Sequence, residues 1–122
     1  MNIIIDTHIF LWLAAGEYKK IKNIQLLEDT NNNIFLSSLS IAEITIKVSI
    51  GKLKFDGDIL EVLKDMGVEI LNFDVKSALL LKNLPYHHKD PFDRMIITQA
   101  ISNKFKIVSA DKNFTKYDCE LI

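Results

Sequence analysis

Ile3-Ile4-Ile5-Asp6-Thr7-His8-Ile9-Phe10-Leu11-Trp12-Leu13-Ala14-Ala15-Gly16 is the stretch on which the fold class turns. Ile3 to Ile5 is a short unbroken apolar run. This is the pattern of a strand buried on both faces, since a strand with one wet face alternates apolar and polar residues. Asp6-Thr7 interrupts the run, and the segment from Thr7 to Ala15 reads as a helix stopped by Gly16. A buried strand turning directly into a helix opens a βαβ unit, and such turns often carry chemistry.

The same alternation continues outward. A helix near Lys19 to Asp29 leads through Asn31-Asn32-Asn33 into a strand at Ile34 to Leu36, ended by Ser37-Ser38. A helix follows from about Ser40 to Ile50, with Ile41, Ile44 and Val48 at helical spacing, Glu43 in its first turn and Gly51 as its stop. Asp58 to Met66 reads as a helix ending at Gly67, and Val68 to Leu71 as a strand. Asp74 caps a helix running to about Leu84, which Pro85 ends. Asp90-Pro91-Phe92-Asp93 is a helix start, a capping residue before proline at the first helical position, and that helix reaches about Asn103. Lys106 to Ser109 is a strand ending at Asp111, and Glu120 to Ile122 adds a short last one. The expected fold is α/β, a central mostly parallel sheet flanked by helices on both faces, with residues 1–122 as a single domain.

Composition narrows the function classes. The chain is 48% hydrophobic and 25% charged, an ordinary globular balance that supports a packed core. A formal net charge of −1 provides no global basic field, so contact with a polyanion must come from local lysines or bound cations. Cys119 is the single cysteine, which leaves no intrachain disulfide and no thiolate cluster for zinc. The longest apolar stretch, Ile9 to Ala15, is far below the ~20 residues of a membrane span, so no membrane association and a cytoplasmic location are expected.

The strand ends carry acids: Asp6 follows the first strand, Asp111 a late one, and Glu43 lies just beyond the strand ending at Leu36, while Asp93 begins a helix. In open parallel sheets the crevice beyond the carboxyl ends of the strands is the usual ligand site, so these side chains can share one pocket. Two like unit charges about 4 Å apart repel by ~4 kcal/mol at an effective dielectric of 20, and protonation or a cation relieves this. Oxygen donors of this kind suit magnesium or manganese, and such ions promote phosphodiester hydrolysis. Each acid also has a plainer reading. Asp6 and Asp90 can cap helices, Glu43 can pair with Lys47 one turn on, Asp93 can answer the helix dipole, and Asp111 can make an Asp turn.

Other features carry less. His87 and His88 lie in a loop without a cysteine or a second spaced histidine to complete a metal site, and read as solvated. Phe10, Trp12 and Leu13 read as core or interface packing, and Lys47, Lys52 and Lys54 as a modest basic stretch. Arg94, the only arginine, reads as a surface ion pair or a contact to carboxylate or phosphate. Phosphate loops and serine-hydrolase motifs are absent.

Four segments in order resemble PIN-domain proteins of the VapC toxin type. They are Ile5-Asp6-Thr7-His8-Ile9-Phe10-Leu11-Trp12; Ser38-Leu39-Ser40-Ile41-Ala42-Glu43-Ile44-Thr45-Ile46-Lys47 with Gly51-Lys52-Leu53; Leu84-Pro85-Tyr86-His87-His88-Lys89-Asp90-Pro91-Phe92-Asp93-Arg94; and Val108-Ser109-Ala110-Asp111. The resemblance implies a metal-dependent endoribonuclease with Mg2+ or Mn2+ held by Asp6, Glu43, Asp93 and Asp111. It also implies an RNA substrate, a homodimer and a cognate antitoxin that blocks the site. The last acidic position varies among such proteins, and Asn113 stands where some carry another acid. Ala42 replaces a frequent aromatic residue. Thr7, Ser109 and Asp90 are expected to orient carboxylates or water around the site. Two competing readings are a non-catalytic PIN-fold binder of RNA or of a partner and a phosphoacceptor receiver module. For the receiver, Asp6 lacks an acidic neighbour and Ser37-Ser38 stands where the phosphoacceptor would be.

Overall fold

The structure, a computed structural model, describes residues 1–111 and 114, and residues 120–121 as backbone. Asn113, Cys119 and Ile122 of the sequence reading lie outside the described residues.

Five strands form one sheet: β1 (Asn2–Ile5), β2 (Asn33–Ser37), β3 (Glu69–Leu71), β4 (Lys106–Val108) and β5 (Glu120–Leu121). Their order is β3-β2-β1-β4-β5 and every pairing is parallel. In the centre, Ile3 is in register with Ile34 on one side and Lys106 on the other. Parallel neighbours need long crossovers, and those on the way from β1 to β4 are helical: α1 (Thr7–Ala14), α2 (Ile24–Glu28), α3 (Ser38–Ser49), α4 (Ile59–Met66), α5 (Val75–Leu80) and α6 (Pro91–Asn103).

The Ile3-Ile4-Ile5 run is fully buried because its successive side chains enter two different cores. Ile3 and Ile5 join Ile34, Leu36 and Val108 in a cluster that takes Ile9 and Phe10 from α1, Ile44 from α3 and Leu63 from α4. Ile4 and Ile107 face the other way and pack on Ile96, Ile97 and Ala100 of α6 and on Phe114. The α/β reading with both faces covered is what the structure has.

Several boundaries differ from the sequence reading for local reasons. The helix expected over Lys19 to Asp29 is a 3-10 turn at Tyr18–Lys20 followed by the short α2. Between them Ile21 is extended and buried in the core, so burial of one side chain overrides helical continuity. α3 starts at Ser38, two residues early, because the Ser37 hydroxyl accepts the Leu39 N–H at 3.1 Å and caps it. Glu43 therefore sits in the second turn of α3 rather than the first. The helix expected from Asp74 to about Leu84 is α5, tightening into a 3-10 turn at Leu81–Asn83. α4 begins after Asp58, which caps it, and closes on Gly67 at φ +70°. Among the described residues no helix is long and apolar enough to cross a membrane.

Candidate functional site

The chain runs from β1 out to β2 and β3, then returns across the sheet to place β4 on the other side of β1. The carboxyl ends of β1 and β4 therefore flank the point where strand order reverses, the place where open parallel sheets leave a crevice. Asp6 follows β1, and Ser109, Ala110 and Asp111 follow β4. The Asp6 N–H donates to Val108 O at 3.1 Å, which carries the β1–β4 ladder to the lip of the crevice.

Asp6 is buried and held by three donors. Its Oδ1 accepts the Ile9 N–H at 2.8 Å, so the capping role is real. Its Oδ2 accepts the Ser109 hydroxyl and the Ala110 N–H, the latter at 3.3 Å. Burial pushes its pKa above the ordinary carboxylate value, while the Ser109 and Ile9 donors pull it back. The Ser109 oxygen in turn accepts the Asp111 N–H at 3.0 Å, so one hydroxyl links the two acids.

Glu43 arrives from α3. Thr7 Oγ1 lies 2.8 Å from Glu43 Oε1 and 2.9 Å from Ser40 Oγ. With a single proton, Thr7 donates to the carboxylate and receives from Ser40, whose position one turn before Glu43 puts both on the same helix face. Lys47 Nζ pairs with Glu43 Oε2 at 3.0 Å, as the i,i+4 spacing predicts. Glu43 is nevertheless buried, so a solvent-exposed helix pair does not account for it.

Asp93 stands in the first turn of α6, behind a cap formed by Asp90, whose Oδ1 accepts the Phe92 N–H at 2.8 Å and the Asp93 N–H at 3.3 Å. Its pKa is pushed up to about 7, first by burial, then by the charge of Asp90, with Glu43 and Asp6 adding to it and His88 opposing. The Asp93 carboxyl thus lies within the field of both Asp6 and Glu43. Three of the four acids singled out in the sequence share one electrostatic environment.

The fourth, Asp111, joins through a residue the sequence reading set aside. His88 Nε2 lies 2.6 Å from Asp111 Oδ2 and 3.1 Å from Asp93 Oδ2. With its side chain 11% exposed, His88 is not a solvated loop residue. Its position two residues before Asp90 is a signal that could have been used, because the loop leading into a helix whose first turn carries a site acid must pass close to that acid. His88, Asp93 and Asp111 offer one ligand atom each within 4.8 Å of one another, a grouping able to hold a metal ion. Asp6 and Glu43 stand outside that trio and reach it through Ser109 and through the field at Asp93. Arg94 makes no ion pair among the described residues: its guanidinium donates to Pro85 O at 3.1 Å and Leu84 O at 3.4 Å and stacks on Tyr86 at 4.3 Å. It braces the loop that carries His88.

A parallel sheet ordered 3-2-1-4-5 with buried acids converging on its switch point defines a compact α/β protein with an acidic site. The chain matches the PIN domain family over residues 3–119 and belongs to that family. Its fold is similar to that in the crystal structure of VapBC2 from Rickettsia felis bound to a DNA fragment from their promoter, at 22% identity and TM-score 0.75, covering 100% of this chain and 98% of that one. DNA-bound VapBC from Salmonella typhimurium is similar at 14% identity and TM-score 0.70, covering 100% and 97%. FitAcB from Neisseria gonorrhoeae follows at 16% identity and TM-score 0.63, covering 98% and 96%. No curated protein matches the sequence.

Proposed function

We propose that residues 1–122 form one PIN domain that acts as a divalent-metal-dependent endoribonuclease, the toxin of a toxin–antitoxin pair. The observation that carries this reading is Asp93: a carboxyl at the entrance to a helix, raised to about pKa 7 by burial and by the charges of Asp90, Glu43 and Asp6. Capping accounts for Asp6 and Asp90 one at a time, but the mutual repulsion of several crowded carboxyls opposes folding unless protonation or a cation relieves it. The donor set is oxygen-rich and fits Mg2+ or Mn2+, held by Asp6, Glu43, Asp93 and Asp111. The chemistry such a cation supplies is Lewis-acid polarisation of a phosphoryl oxygen and activation of water.

The chain's own residues supply the rest. Ser109 and the Ile9 and Ala110 amides fix both oxygens of Asp6, so it needs no reorganisation when a cation enters. Thr7 holds one oxygen of Glu43 and Lys47 holds the other. Without a cation, Asp93 takes up a proton near neutrality; with one, it gives that proton up. RNA is the proposed substrate, approaching over the open ends of β1 and β4.

The toxin reading draws on the VapBC and FitAcB folds, and with it come a cognate antitoxin, a homodimer and a cytoplasmic location. Val75 and Leu79, 74% and 71% exposed at i,i+4 spacing on α5, offer an apolar stripe suited to association.

The deciding assay is cleavage of diverse RNAs by the purified chain with Mg2+ or Mn2+, against chelator and variant controls. Asp6→Asn, Asp93→Asn and Glu43→Gln remove charge with little change in volume. Each is expected to abolish cleavage while leaving the circular dichroism spectrum intact. Metal-dependent cutting that survives both Asp6→Asn and Asp93→Asn would move the active site elsewhere, and no cutting of any RNA would favour a non-catalytic binder.

A further inference from the structure

We infer that Lys47 is the residue with which the crevice holds RNA: its ammonium, tied on one side to Glu43, donates on the other to a backbone phosphate of the substrate. The inference rests on the reading of this crevice as a cation site that takes RNA, and it names a side chain that binds the substrate there.

α3 begins at Ser38, directly after the carboxyl end of β2, so its first turns stand on the side of the sheet where the crevice lies. Lys47, in the last turn, is roughly 13 Å farther along the axis. Side chains on an α-helix lean toward its N-terminus, which carries the lysine back toward the crevice. Its Nζ there donates to Glu43 Oε2 at 3.0 Å. The common duty of a lysine in a last turn is to the open carbonyls of the helix end. Here backbone groups meet that need: the Ile50, Gly51 and Lys52 N–H groups donate to Ile46 O, Val48 O and Lys47 O at 3.2, 3.1 and 2.9 Å.

The pair is asymmetric. The Glu43 side chain is 9% exposed and that of Lys47 44%. An ammonium has three N–H groups, so with one on Glu43 the others remain on the solvent side. A surface lysine is ordinarily a mobile charge that must be ordered when it binds. Glu43 is fixed from its other oxygen by Thr7 at 2.8 Å, so the ammonium tied to it has a set position beforehand, which lowers the ordering cost of holding a phosphate.

The electrostatics call for such a group. RNA brings negative charge to a crevice of acids, and a divalent cation returns only part of the charge of Asp6, Glu43, Asp93 and Asp111 when they are ionised. The net charge of −1 supplies no attraction from elsewhere. Arg94 is engaged with the Pro85 and Leu84 carbonyls and with Tyr86. Lys47 is a positive charge that a site acid holds in place, and an ammonium-to-phosphate bond is of the strong, charge-assisted kind. The simpler alternative is that Lys47 only neutralises Glu43. In that case its removal disturbs the acid and the cation, and leaves the number of phosphate contacts unchanged.

Fluorescence anisotropy with a short, labelled single-stranded 2′-O-methyl RNA, its integrity checked on a gel, separates the two. Binding is measured across a salt series, at Mg2+ concentrations that calorimetric titration shows to be saturating for each variant. Lys47→Met is expected to weaken binding on the order of 3- to 10-fold for oligonucleotides of any sequence. The slope of log affinity against log salt is expected to flatten by about 0.7, the value of one phosphate contact on a single strand. Lys47→Arg, which keeps the charge, is expected to keep the slope. In titrations without RNA, Lys47→Met is expected to bind Mn2+ at least as tightly as the native protein, because a positive charge beside Glu43 is gone. A native slope in Lys47→Met overturns the inference, and so does an equal flattening in Lys47→Arg. Native protein that binds the oligonucleotide with these slopes yet cuts no RNA refutes the nuclease reading and leaves the role of Lys47 standing. Native protein that binds Mn2+ but no RNA refutes both.

Discussion

At the Asp93 carboxyl, burial and three neighbouring acids act in the same direction, and only His88 acts against them. The folded protein therefore binds a proton there more tightly than the unfolded chain does. A raised carboxyl contributes stability that is fully present below its unfolded value, near the ordinary 3.8, and that is lost as pH rises through about 7. In chelator, the stability of the native protein relative to Asp93→Asn is expected to fall between about pH 4 and about pH 7 and to level off above that, as measured by urea midpoints. Mg2+ competes with that proton, so its stabilising effect is expected to be larger at the upper end of the range. A relative stability that stays flat with pH would mean that Asp93 is not raised. The sequence grouped Asp93 with the other acids and with their mutual repulsion, but its burial and the field of Asp90, Glu43 and Asp6 act on it through the fold and were not legible there.

Among the helices, α6 makes the sharpest case, because a single residue at its start serves two purposes. Asp90 caps the helix by accepting the Phe92 and Asp93 N–H groups, and its charge helps to raise Asp93. Asparagine caps about as well as aspartate, whereas alanine loses about 1 kcal/mol. Asp90→Asn is therefore expected to keep native stability and lower the Asp93 pKa, followed by carbon-13 NMR of the carboxyl. Asp90→Ala is expected to lower that pKa too, with a destabilisation of about 1 kcal/mol in denaturant melts. Should Asp90→Asn destabilise as much as Asp90→Ala, the cap depends on charge rather than on hydrogen bonding. Helix starts of this kind were legible because cap chemistry is local: Asp74 and Asp90 cap as read, and Asp58, read as the first residue of its helix, is the residue that caps it. The α2 region was not, since Ile21 leaves the helical path to fill the core, a tertiary demand that periodicity over neighbouring residues does not register. His88 was missed for a related reason, as its partner Asp111 is 23 positions away.

At the scale of the whole molecule, the net charge of −1 means that nothing draws a polyanion in from a distance. Under the proposed function, RNA affinity is expected to be weak in chelator and to rise with Mg2+. Its logarithm is expected to fall against log salt with a slope no steeper than about 2, the equivalent of two or three phosphate contacts on a single strand. Fluorescence anisotropy measures both, and tight metal-independent binding with a steep slope would place the RNA on a basic surface away from the crevice. The α/β class and the position of the acids at strand ends were legible because buried strands and their polar breaks are local patterns; convergence was not, because the β3-β2-β1-β4-β5 order brings it about. That order has a further effect during synthesis. Asp6 and Ser109, joined by a hydrogen bond, are separated by 103 positions, and β1 has no β4 beside it until that strand has left the ribosome. A nascent chain can hold Asp6 and Glu43 together and still lack Asp93, His88 and Asp111. The proposed RNA-cutting activity is thereby withheld by topology alone from a nascent chain that has not yet reached β4, and switches on only once β4 and Asp111 have joined the sheet.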